Sequence, residues 1–211
     1  MKRLAFVLAA FAVFAPASFA APELRGTVQR ISPELQSRMS SWRPGCPLHI
    51  RNLRLLRVSH WGYEGEVHRG RLIVNRWQAW PVVRVLKRLY ANRYPIRRLW
   101  LIDAYRSNDR RSMAANNTSA FNCRYVAGTT RWSEHAYGRA IDINPVQNPY
   151  VASSGRVSPP SGAAFADRSK RAKGMIRAGD AVVRAFASIG WRWGGYWGSP
   201  KDYQHFSATG R

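Results

Sequence analysis

Residues 133–142, SEHAYGRAID (Ser133 to Asp142), are the stretch on which the fold turns. Read as a plain β-strand, the stretch sends side chains to alternate faces. His135 and Asp142, seven apart, then point away from each other. Read as half of a metal site, it must break that alternation so that the imidazole and the carboxylate meet. Gly138 is the predicted break, because a bulge or bend needs backbone conformations that glycine takes readily. Asn144-Pro145 just beyond is a firm stop.

A second half must come from elsewhere. The chain has 5 His and 11 acids in all, so few metal sites can be assembled from it. His49, His60 and His68 lie among Arg and Trp in the early part of the chain and read as surface or half-buried histidines. His205 stands apart, in KDYQHF, with Asp202 three residues before it. A catalytic zinc takes three nitrogen or oxygen ligands and leaves a fourth place for water. His135, Asp142 and His205 would supply three such ligands and leave Asp202 free to act as general base; the alternative by spacing alone is a set of unrelated polar residues. Both Asp202 and His205 face one metal only if their tetrapeptide is a turn or an irregular strand end.

Around these motifs the pattern is mixed. Ser32-Pro33-Glu34 reads as the start of a short helix, with Pro at its first position. Leu53–Val58 and Arg71–Val74 read as two strands, and Gly62, Gly65 and Gly70 supply the turn of a hairpin. Val82–Tyr90 is an amphipathic helix that Pro81 either opens or kinks. Leu99–Ile102 reads as a strand buried on both faces. Arg106–Thr130 is a long polar excursion, a kind of segment that inside a domain is usually functional. Val151–Lys173 reads as a surface loop. Met175, Ile176, Val182, Val183, Phe186 and Ile189 share one helical face that Gly190 ends. The predicted fold is α+β: a small, mainly antiparallel sheet flanked by helices, with the zinc site on the sheet.

The N-terminus carries Lys2 and Arg3, an apolar run from Leu4 to Phe14, and the small-residue stretch Ala17–Ala20. This predicts a secretory signal peptide over residues 1–20, cut after Ala20. The run is too short to span a bilayer, and no Cys marks a lipid anchor. Residues 21–211 are then expected to form a single monomeric domain, with 21–50 as an N-terminal extension. Export predicts a periplasmic or extracellular protein. There, Cys46 and Cys123 are expected to form one disulfide, the alternative being two buried thiols. The net charge of +23 attracts polyanions without choosing among them. No recognition motif supports specific nucleic-acid binding.

The string Ser133-x-His135-x-x-Gly138-x-Ala140-x-Asp142, followed by Asp202-x-x-His205, resembles the zinc D-alanyl-D-alanine peptidase family. That family includes the vancomycin-resistance D,D-peptidases and the L-alanyl-D-glutamate peptidases of phage endolysins. The likeness runs from about Leu53 to Phe206 and is strongest in the two motifs. It implies a zinc held by His135, Asp142 and His205, with Asp202 as catalytic base. It also implies an oxyanion-stabilising arginine ahead of the first motif, a place that Arg106 fits and that Arg110 or Arg111 could fill. In the D,D-dipeptidase branch the base is usually Glu; Asp here tilts the match toward the endolysin-like branch. The implied activity is hydrolysis of peptidoglycan stem peptides, as a D-Ala–D-Ala carboxypeptidase or an L-Ala–D-Glu endopeptidase, with anionic cell-wall polymers as partners. Ser133, Tyr137 and Trp197 are expected to bind substrate, and Trp193 and Tyr196 to help wall the cleft; the alternative for Trp193 and Trp197 is the core. The alternative is a basic wall-binding module that keeps the fold without catalysis.

Overall fold

The computed structural model describes residues 26–211, so the signal peptide expected at residues 1–20 lies outside the described residues. Along the chain come β1 (Gly26–Arg30), α1 (Pro33–Ser37), β2 (Leu53–Trp61), β3 (Val67–Asn75), α2 (Ala79–Ala91), α3 (Asp109–Ala114) and β4 (Ala140–Asp142). There follow β5 (Tyr150–Val151), β6 (Val157–Ser158), α4 (Ala181–Ala187), β7 (Arg192–Trp193), β8 (Lys201–Asp202) and β9 (His205–Ser207). The strands form three antiparallel sheets of three strands each, ordered β1–β2–β3, β4–β9–β7 and β6–β5–β8. This is the α+β arrangement expected from the sequence.

Alternation along the β2–β3 hairpin divides the interior in two. Leu56, Val58, Leu72 and Val74 join one cluster with α2 and α4. Leu53, Leu55 and Ile73 join another with Met39, Leu101 and Phe121. Pro81 sits in the first turn of α2, where its missing N–H breaks no helical bond, so it opens the helix without kinking it. Val82, Val83, Leu86 and Leu89 then lie on the buried stripe of α2.

Three local expectations are corrected. Leu99–Leu101 is extended but forms no named strand, and Ile102–Tyr105 is a 3-10 turn. The side chain of Asn117 takes the place of a partner strand: its Oδ1 accepts from Trp100 N at 2.9 Å and its Nδ2 donates to Trp100 O at 3.1 Å. The C-terminal helix is shorter than its apolar pattern. Asp180 caps it by accepting from Val183 N at 2.9 Å, which leaves Met175 and Ile176 buried outside it. The segment 151–173 is not simply a loop, because Val151 belongs to β5, the central strand of a sheet, and Val157–Ser158 form its neighbour β6.

Cys46 and Cys123 are joined by a disulfide across 77 residues. Beside it, Ser41 donates from N and Oγ to Asp103 at 2.9 and 3.1 Å, and Cys123 N donates to Ser41 O at 2.9 Å. Together these hold the stretch around Met39 against the hairpin. Cys46→Ser is expected to lower stability by about 2–5 kcal/mol, because the unfolded chain regains the freedom of a long loop. Thermal unfolding measures this, and an unchanged Tm would contradict it.

Candidate metal centre

The site begins with strand register. In the β4–β9 pair, Asp142 lies directly across from His205. Ile141, Ile143 and Phe206 are each fully buried, and the Phe206 ring stacks on Phe186 at 4.0 Å between centroids. Neighbours along a strand leave opposite faces, so burying these three turns Asp142 and His205 the other way. Ser119 extends this sheet, exchanging hydrogen bonds with Asp142 at 3.1 and 2.9 Å.

His135 arrives by a different local structure. Glu134–Tyr137 is a 3-10 turn, not the bulged strand envisaged from the sequence. Ser133 caps it, its Oγ accepting from His135 N at 3.3 Å. Gly138 ends it in the left-handed region at φ +61°. So the break does fall at Gly138, and it is a helical cap. Gly138 O accepts from Asn75 N at 2.8 Å, and a Cβ on Gly138 would lie 2.6 Å from that nitrogen. Gly138→Ala would therefore have to push the turn off the end of β3 as well as adopt a positive φ. The expected cost is about 2–4 kcal/mol of stability, with weaker metal binding. Denaturant unfolding and metal titration of the variant measure both, and wild-type values in each would refute the tight contact.

His135, Asp142 and His205 place one ligand atom each within 4.8 Å of one another. His135 Nε2 is 3.2 Å from Asp142 Oδ2, and His205 Nδ1 is 2.9 Å from Asp142 Oδ1. The other nitrogen of each ring is committed to a main-chain carbonyl: His135 Nδ1 donates to Ala120 O at 2.5 Å, and His205 Nε2 to Arg211 O at 3.0 Å. A carbonyl only accepts, so these bonds fix the tautomer and leave His135 Nε2 and His205 Nδ1 to face the cluster. Burial disfavours the Asp142 carboxylate, yet His135 and His205 hold it well below the usual carboxylate range. Burial also works against charged His205, but its hydrogen bond to Asp142 and the charges of Asp142 and Asp202 raise it to about 9. Two imidazoles and one carboxylate, buried and oriented from behind, match the donor set of a three-ligand zinc site.

Asp202 reaches the cluster through β8, where it pairs with Tyr150 of β5. Gly194 packs on it so closely that a Cβ there would lie 2.6 Å from Asp202 O. The Asp202 Oδ1 atom is buried and has no hydrogen-bond partner. Burial pushes the carboxyl up to about 6; charged His205 opposes this and the Asp142 charge adds to it. Gly194 is the sequence signal for this close approach, whereas its neighbour Gly195 makes room for Trp193.

A cleft of about 430 Å³ opens over the cluster, lined among others by Arg124, Trp132, Ser133, Tyr150 and Trp197. The Trp197 ring lies 5.6 Å from that of His205. Of the residues expected to bind substrate, Ser133 and Trp197 line the cleft and Tyr137 does not. Tyr137 has its carbonyl held by Asn75 and its ring covered by Arg139 at 4.5 Å. Trp193 is core and Tyr196 is exposed. Arg106 is exposed, in the left-handed region at φ +53°, outside the cleft lining; Arg110 and Arg111 are exposed on α3. Three other arginines line the cleft, Arg124, Arg131 and Arg211, and of these Arg124 is ion-paired with Asp109. Its position next to Cys123 was the one hint in the sequence.

No curated protein and no solved structure matches this chain. A family model described as D-alanyl-D-alanine carboxypeptidase matches residues 127–208, the stretch that holds His135, Asp142, Asp202 and His205. In agreement with the resemblance drawn from the two motifs, it is through this stretch that the chain is similar to the D-alanyl-D-alanine carboxypeptidase family.

Proposed function

We propose that this protein is an exported zinc peptidase that hydrolyses a peptide bond in peptidoglycan stem peptides. The observation that carries the reading is the convergence of His135, Asp142 and His205 at one cleft, inside the segment that matches the peptidase family. His135 Nε2, a carboxylate oxygen of Asp142 and His205 Nδ1 would hold a zinc ion, which would supply a Lewis acid for a carbonyl and for water. The remaining work falls to the side chains. Asp202, with its unpaired buried oxygen, takes a proton from the attacking water and returns it to the leaving amine. Arg124, oriented by Asp109, faces the charge that develops on the carbonyl oxygen, in place of the Arg106 that the resemblance implies. Tyr150 and Trp197 give the cleft aromatic walls against which a peptide can lie.

Two bonds of the stem peptide suit this chemistry, D-Ala–D-Ala and L-Ala–D-Glu. Mass spectrometry of a muropeptide digest names the bond from the fragment masses. Intact muropeptides after incubation with the zinc-loaded protein would sink the peptidase reading and leave a wall-binding module.

A further inference from the structure

A second concavity, of about 400 Å³, lies where β1 ends and β2 begins, and it shares no lining residue with the cleft. Arg30, Arg51, Arg54 and Arg76 line it, together with Ile31 and Ile50. No acid lines it, and among the described residues none of the four arginines is paired with a carboxylate. Arg30 and Arg54 stand directly opposite each other across the β1–β2 pair, an arrangement that repels. The Arg54 guanidinium is anchored, donating from Nη1 to Leu53 O at 2.7 Å and to Arg51 O at 3.0 Å. Arg76 N donates to Asn52 O at 2.7 Å, and its guanidinium lies 4.3 Å from the ring centroid of Trp77, which is 72% exposed.

Four guanidinium-bearing side chains around one concavity, with no acid to neutralise them, focus positive potential there. The chain has 34 basic residues against 11 acids, so it has few carboxylates of its own to offer. An anion in the pocket lies among four arginine side chains. A carboxylate offers two oxygens and satisfies one guanidinium fork. A phosphodiester sets two charged oxygens and two weaker ester acceptors tetrahedrally about phosphorus, so guanidinium groups on more than one side can reach it, and it is the better match. Ile31 and Ile50 provide an apolar flank for the stem that carries it. We propose that this pocket binds a phosphodiester group carried on a short organic stem. This site stands independently of the peptidase reading.

The test uses two probes that share this chemistry: soluble oligomers of glycerol phosphate, and vesicles of phosphatidylglycerol in phosphatidylcholine. Calorimetry follows the first and vesicle co-sedimentation the second, each over a range of salt. Arg51→Glu/Arg76→Glu changes two exposed pocket residues. Arg57→Glu/Arg71→Glu makes the same change of charge on an exposed β2–β3 pair outside the pocket. The pocket variant is expected to weaken binding by about tenfold or more, and the control by less than about threefold. Affinity for the oligomer assigns the site to a soluble phosphodiester polymer; affinity for vesicles alone assigns it to a lipid headgroup. Equal losses in the two variants, or no binding of either probe by the wild type, would overturn the proposal. Cleavage of a soluble muropeptide is expected to be unchanged in the pocket variant, and loss of cleavage there would overturn a separate site.

Discussion

Asp202→Asn is expected to lower kcat by about 10²–10⁴-fold while the protein keeps its metal, because a general base contributes on that scale and is not a ligand. The pH profile carries the same information. A base must be ionised to accept a proton, so activity is low when the carboxyl is protonated and rises to a plateau above its pKa. In the metal-free protein that carboxyl is pushed up to about 6, first by burial. A bound dication nearby favours the carboxylate and moves the rise to lower pH. Stability should move in the opposite sense. A carboxyl whose pKa is higher folded than unfolded costs the folded state once it ionises. That cost is absent below about pH 4, grows up to about pH 6 and is constant above, reaching about 2–3 kcal/mol. Metal-free Asp202→Asn is therefore expected to be more stable than metal-free wild type at neutral pH, and no more stable at acid pH. Loss of metal on substitution, or an undiminished rate, would remove Asp202 from the role of base.

Asp142→Asn is expected to abolish tight metal binding, and with it activity, to the level reached by the wild type under excess chelator. The substitution removes the carboxylate that lies between the two imidazoles. Without metal, the same carboxylate is paired with buried histidines, and breaking such a pair costs about 3–5 kcal/mol. The pH dependence of the metal-free protein follows from His205, held at about 9 by Asp142 against the effect of burial. A histidine whose pKa is raised on folding stabilises below its unfolded value near 6.5, and that stability is lost as pH rises through about 9. In Asp142→Asn the drop across this window should vanish. Metal competes with the proton on His205, so affinity should rise with pH over the same range. Metal content by mass spectrometry and unfolding at several pH values check both. Full occupancy in Asp142→Asn, or full activity in chelator, would refute the centre.

Much of the site was legible because its signals are local. Alternation in Ala140-Ile141-Asp142-Ile143 and in His205-Phe206 says which side chains go to the core and which remain for chemistry. Ser133 and Gly138 are a cap and a stop whose effects reach only a few residues. The sequence called for an interruption at Gly138 and was right about the place, though not about the 3-10 turn that makes it. The hairpin, α2 and the two cysteines were legible for the same reason.

What the linear chain could not supply is pairing between distant segments. Asp142 and His205 are 63 residues apart, and only the β4–β9 register sets them face to face. Asp202 is held by β5, at the start of a stretch that reads as loop, because two-residue strands carry too little pattern to be seen. Arg106 is left exposed and outside the cleft lining for a reason equally distant. Leu99–Leu101 spends hydrogen bonds on the side chain of Asn117, and the 3-10 turn that follows leaves Arg106 at positive φ while Arg124 enters the cleft. Local conformation and burial are written in neighbouring residues; the meeting of His135, Asp142, Asp202, His205 and Arg124 at one cleft depends on backbone bonds that no short stretch of chain encodes.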